Sequence, residues 1–125
     1  MISLKHILLV AVGGSAGAVA RYLSNKFISE QISSSFPAGT FVINIVGCFV
    51  IGLLVGLSTK SPGFSQEMKL LLMTGFCGGF TTFSSFTLEG MTLIQQQKIF
   101  IFFLYFSASV IIGLAATFAG YWIAR

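Results

Sequence analysis

Twelve residues carry the densest concentration of chemically useful groups in this chain: Gly75-Phe76-Cys77-Gly78-Gly79-Phe80-Thr81-Thr82-Phe83-Ser84-Ser85-Phe86. Three glycines fall within five positions and four hydroxyls follow, inside an otherwise apolar run from Met68 to Met91. At ~1.5 Å per residue that run is long enough to cross a ~30 Å hydrocarbon layer. Clustered glycine and hydroxyl residues make a poor continuous helix, and the pattern predicts a break near Gly78–Thr82. Backbone broken at membrane depth persists only against protein or a cavity, and its freed carbonyls can coordinate a cation. Glycine spacing also allows a plainer reading, in which Gly75 and Gly79 form a GxxxG pair that admits a neighbouring helix.

Other polar residues recur at helical spacing. Thr40, Asn44 and Cys48 lie four apart and share a face, as do Tyr105 and Ser109. Asn44 is either interhelical glue or a source of two N–H donors for an anion. Phe83 and Phe86, three apart, either pack or turn their electropositive ring edges toward an anion. Glu89 is the only carboxylate within any apolar run, which makes it a functional candidate by position. Arg21 either snorkels to the headgroups or supplies charge to a vestibule.

These residues require helices to carry them. Of 125 residues, 55% are hydrophobic and 8% charged, which indicates an integral membrane protein. Four spans follow from the apolar runs: His6 to Phe27, Gly39 to Ser58, Met68 to Met91 and Ile99 to Ile123. The first begins like a signal peptide, with Lys5, an apolar run and Ala18-Val19-Ala20, and also carries a small-residue packing face from Gly13 to Ala18. Tyr121 and Trp122 suit an interfacial aromatic belt. The whole of 1–125 reads as one four-span transmembrane domain.

Composition also excludes. With three acidic residues and one histidine, no hydrolytic triad, paired-carboxylate site or zinc site can be assembled, so an enzyme is not expected. Seven scattered Lys/Arg form no patch for nucleic acid. Lys5, Lys60, Lys69 and Arg125 fall on one side of the four spans, and Arg21, Lys26 and Lys98 on the other. Four against three is almost no orienting bias. The chain therefore either inserts both ways, allowing an antiparallel homodimer, or has one weakly specified topology.

Three segments resemble a known family, the dual-topology fluoride channels called Fluc or CrcB-type proteins. Gly13-Gly14-Ser15-Ala16-Gly17-Ala18-Val19-Ala20-Arg21-Tyr22 is similar to that family's GGxxGAxxRY. Gly39-Thr40-Phe41-Val42-Ile43-Asn44 is similar to its GTxxxN, and Gly75 to Phe86 to its GxxGGxTTFSTF, with Ser85 where threonine is common. Gly113 interrupts a hydroxyl track that some members continue along the fourth span.

The resemblance implies a fluoride-selective channel that exports the ion passively across a bacterial inner membrane, as an antiparallel homodimer with two pores. Phe83 and Phe86 would line each pore, Asn44 would donate hydrogen bonds, and Thr40, Ser84, Ser85, Tyr105 and Ser109 would supply further polar stations. A structural sodium ion at the dimer centre would be held by the backbone carbonyls of Gly78 and Thr81, and Arg21 would lie near a vestibule. The alternative is a small proton-coupled multidrug exporter of dual topology, for which Glu89 is the one available proton carrier.

Overall fold

A computed structural model describes residues 2–125, and among these every regular element is a helix. Helix α1 spans Leu4–Gln31, α2 spans Ala38–Lys60 and α6 spans Ile99–Ala124. All three are long and apolar enough to cross a membrane, and the chain is a helical membrane protein. Between α2 and α6 the chain forms a rod: a short α3 (Gln66–Lys69), a π-helical stretch Leu70–Cys77 and a short α4 (Gly78–Phe80). Their junctions at Lys69, Leu70, Cys77 and Gly78 all hold right-handed helical torsions. Thr81 (φ −85°, ψ 158°) and Thr82 (φ −148°, ψ 121°) are extended, and α5 runs from Phe83 to Gln95.

Two glycine-lined contacts hold the helices together. A Cβ added at Gly17 would strike the Phe76 carbonyl, and one at Gly79 would strike the Gly14 carbonyl, so α1 and the rod meet backbone to backbone. The same close approach joins α2 to α6, where a Cβ on Gly52 would meet the Thr117 carbonyl and one on Gly120 the Phe49 carbonyl. In lipid, where apolar side chains gain little by meeting one another, such approach supplies the dispersion contact that drives helix association. Gly75 and Gly79 therefore serve packing. Gly78 does not, since its nearest obstacle would be the Met73 carbonyl at 4.0 Å.

The two ends of the molecule are marked by polar links. Lys5 pairs with Glu67 at 3.5 Å where α1 and α3 begin. At the opposite end the Lys98 ammonium donates to Ser35 Oγ at 2.7 Å, joining the α5–α6 turn to the α1–α2 loop. The turn is a Schellman closure: Lys98 N–H bonds the Leu93 carbonyl, Gln97 N–H bonds the Ile94 carbonyl, and Gln97 sits at φ 59°. Glycine takes that left-handed conformation without the steric cost of a Cβ. Gln97→Gly is expected to stabilise the protein by about 0.5–1 kcal/mol, read as a raised thermal unfolding midpoint in detergent.

Candidate functional site: two polar layers along the fifth helix

At Thr81–Thr82 the helical ladder stops, and Asn44 on α2 takes over its hydrogen bonds. Asn44 Oδ1 accepts from the Thr82 N–H at 2.9 Å, while Asn44 Nδ2 donates to the Thr82 carbonyl at 3.1 Å. A helix continuing through this point would have given that N–H to the Gly78 carbonyl. The Thr82 hydroxyl then caps α5 by accepting from the Ser85 N–H at 3.1 Å, and Thr81 turns its hydroxyl back to the Cys77 carbonyl at 2.9 Å. Asn44 is thus glue between α2 and the Thr81–Thr82 segment, and only one of its two N–H groups has a partner among the described residues.

Arg21 is drawn into the same place. Its Nε donates to the Gly79 carbonyl at 3.0 Å, so the guanidinium is anchored on the rod. The carbonyls of Gly79 and Thr82 therefore have side-chain donors. Those of Gly78 and Thr81 have none among the described residues, and neither does that of Phe80. Unpaired carbonyls at membrane depth cost free energy unless something electropositive meets them. Neutral oxygens are suitable ligands for a hard cation.

A cavity of about 430 Å³ opens beside this segment, lined by Asn44, Gly78, Thr81, Thr82, Phe83, Phe86 and Ser109, with Cys48 and Cys77 among its other walls. Ser109 Oγ is buried there with no hydrogen-bond partner. Asn44 and Ser109 come from different helices and meet because each faces the start of α5. Together they form a first polar layer, where the first-turn amides of α5 also present the positive end of a helix.

One helical turn further along, Thr40, Tyr105 and Glu89 form a second layer. The Thr40 hydroxyl donates to Glu89 Oε2 at 2.8 Å and the Tyr105 hydroxyl to Glu89 Oε1 at 2.9 Å. Tyr105 is fully buried and Thr40 nearly so. The spacing Thr40/Asn44 on α2 and Tyr105/Ser109 on α6 sets the two layers ~6 Å apart at 1.5 Å per residue. Phe86 lies between them, its ring inclined at 63° to Tyr105 with centroids 5.1 Å apart.

The two phenylalanines are not equivalent. Phe86 is 7% exposed and stacks on Phe106 at 4.1 Å, whereas Phe83 is 75% exposed at the cavity edge. Residues three apart differ by some 60° around a helix, enough to separate a core ring from a free one. Ser84 Oγ lies 3.4 Å from Thr82 Oγ1 on the exposed side. Ser85 contributes its N–H to the cap, and neither serine lines the cavity.

Residue types alone did not reveal the partners of Glu89. A carboxylate within an apolar run needs donors, and Thr40 and Tyr105 are the hydroxyls that α2 and α6 bring to it. That need was the available signal. Both protons are committed to the carboxylate in this structure, so neither hydroxyl is a free donor.

The chain matches the family described as CrcB-like protein, Camphor Resistance (CrcB), over residues 8–121. A protein of Flavobacterium psychrophilum named fluoride-specific ion channel FluC is 46% identical over 122 residues, covering 98% of each chain. A protein of the same name from Azobacteroides pseudotrichonymphae is 46% identical and covers 94% of each. One from Leptospira interrogans is 38% identical over 97% of this chain and 95% of its own. With a match running almost from end to end and relatives covered over nearly their whole length, the chain belongs to the CrcB family.

Proposed function

We propose that this protein is a fluoride-selective channel of the bacterial inner membrane, exporting fluoride passively and so lowering its cytoplasmic concentration. Relatives that carry the name of a fluoride-specific channel and share 38–46% identity support the choice of ion. The observation in this chain that carries the reading is the first polar layer. The spare Asn44 N–H, the unpartnered Ser109 hydroxyl and the opened start of α5 converge on one cavity beside Phe83 and Phe86.

The chemistry favours a small, strongly hydrated anion. Such an ion leaves water only where donors replace its shell, and amide and hydroxyl groups replace it without trapping the ion as a lysine would. The electropositive ring edge of exposed Phe83 adds a weak, non-trapping contact. At the second layer, an ion accepts a hydrogen bond from the Thr40 or Tyr105 hydroxyl as that hydroxyl swings away from Glu89, and Ser84 and Ser85 serve the approach. The drug-exporter alternative is disfavoured, because relatives matched over nearly the whole chain carry the name of a fluoride-specific channel.

The rod and α5 together make one interrupted crossing, giving residues 1–125 four spans as a single channel domain. Two such chains, inserted in opposite directions, form an antiparallel homodimer with two pores. The cavity at the break is then completed by the partner, and the near-balanced lysine and arginine count permits both insertions. The donor set fits a structural sodium ion on the dimer axis. Gly78 and Thr81, whose carbonyls lack donors within the chain, would hold it from both subunits. A bound monovalent cation there supplies the positive charge that those carbonyls otherwise lack. Arg21 keeps the adjacent Gly79 carbonyl oriented at the edge of a vestibule.

A fluoride-sensitive bacterium lacking its own exporter tests this reading. Expression of the chain is expected to restore growth in millimolar fluoride. Persistent sensitivity with the protein demonstrably in the membrane would contradict it.

A further inference from the structure

We infer that the end of the molecule bearing Lys98 is an anion-collecting mouth for the second polar layer, with the Lys98 ammonium as its charge and small hydrated monovalent anions as its ligands. The inference rests on the channel reading and adds a site to it. A cavity of about 560 Å³, separate from the one at the break, is lined by Ser33, Ser34, Ser35, Thr92, Glu89 and Lys98 among others. Glu89 belongs both to this cavity and to the layer with Thr40 and Tyr105, so the cavity adjoins that layer through Glu89.

The charges around it favour an anion. Lys98 pairs with no carboxylate among the described residues and is held over the cavity by Ser35 Oγ at 2.7 Å. Two long helices also start here. Pro37 precedes α2 and Lys98 precedes α6, both residues line the cavity, and neither helix start has a side-chain cap. The Ala38 N–H is taken by the Phe36 carbonyl, and the remaining first-turn amides add positive partial charge. The opposing negative end of α5 is muted, because the carbonyls of Thr92, Leu93 and Ile94 are taken by the Schellman closure. The mouth thus offsets the Glu89 carboxylate on its floor, which alone would repel an incoming anion.

A charge at a mouth acts by steering, and steering is screened by salt. The test is initial fluoride efflux from liposomes loaded with potassium fluoride, at ionic strengths of about 0.01 M and about 0.5 M set with an impermeant salt. The Debye length is roughly 30 Å at the lower value and under about 8 Å at the higher. Lys98→Glu is expected to slow efflux roughly fourfold at low ionic strength and by less than about 1.5-fold at high, while Lys98→Arg matches wild type at both. Unchanged efflux in Lys98→Glu, or a loss that salt does not relieve, would overturn the mouth while leaving the channel intact. If Lys98→Glu does not yield a monodisperse protein, Lys98→Gln is read instead, with roughly half the effect expected on a logarithmic scale and the same salt dependence. Absence of fluoride efflux from the wild type would instead remove the channel reading, and the mouth with it.

Discussion

Valine at Gly17 is expected to leave no folded protein in detergent extracts. The added side chain would drive its Cβ into the Phe76 carbonyl and to 2.9 Å from the Phe80 amide nitrogen. Both obstacles are backbone, so no rotamer change relieves them, and α1 would have to part from the rod. Separation also removes the Arg21 bond to the Gly79 carbonyl, because that bond crosses the same contact. Overpacking of this kind costs about 1–3 kcal/mol where side chains can yield, and more where they cannot. Size-exclusion chromatography should show aggregate or no recoverable peak. Gly14→Ala is the matched control. Its Cβ would meet the Gly75 carbonyl at an ordinary 3.9 Å, and a normal elution profile is expected. A monodisperse Gly17→Val protein would show that the α1–rod contact is looser than described.

Asn44→Ala is expected to lower fluoride flux at least tenfold while the helices still assemble. The substitution strands the Thr82 N–H and carbonyl, each bonded to Asn44 and to nothing else described. Leaving a buried polar group unpaired costs about 1–3 kcal/mol, enough to displace Thr82 and the cap it provides to Ser85. Assembly survives because the glycine contacts between α2 and α6, at Gly52 on α2 and Gly120 on α6, lie away from the end of α2 that carries Asn44. Asn44→Asp retains an acceptor for the Thr82 N–H but sets a second oxygen against the Thr82 carbonyl, so it should not rescue flux. Efflux from liposomes, alongside chromatography of the same samples, separates lost conduction from lost fold.

The long helices were legible because a bilayer imposes length and apolarity together. The fourth apolar run, Ile99 to Ile123, matches α6 at Ile99–Ala124 closely. The first run stops at Phe27, yet α1 continues to Gln31, since a helix can extend beyond the hydrocarbon through residues such as Asn25 and Glu30 that an apolar criterion rejects. The shared faces of Thr40 with Asn44 and of Tyr105 with Ser109 were legible from helical period alone. What they face was not. The Thr40–Glu89 bond joins positions 49 apart and the Asn44–Thr82 pair positions 38 apart, and no local pattern encodes such pairings.

Gly75 and Gly79 invited two readings, and the structure assigns them to packing against α1. The extended torsions lie instead at Thr81 and Thr82, where Asn44 offers substitute hydrogen bonds. The eight-residue π-helical stretch Leu70–Cys77 has no signature in residue type or spacing. Nor does the inequality of Phe83 and Phe86, which depends on where Phe106 sits on α6.

The central claim is selective fluoride conduction, and the most direct measurement is anion efflux from liposomes containing the purified wild-type protein. Ion-selective electrodes would follow fluoride and chloride from identical vesicles under the same driving force. Rapid fluoride loss with chloride retained is the predicted result. Equal loss of both anions, or loss of neither from a monodisperse sample, would contradict the account.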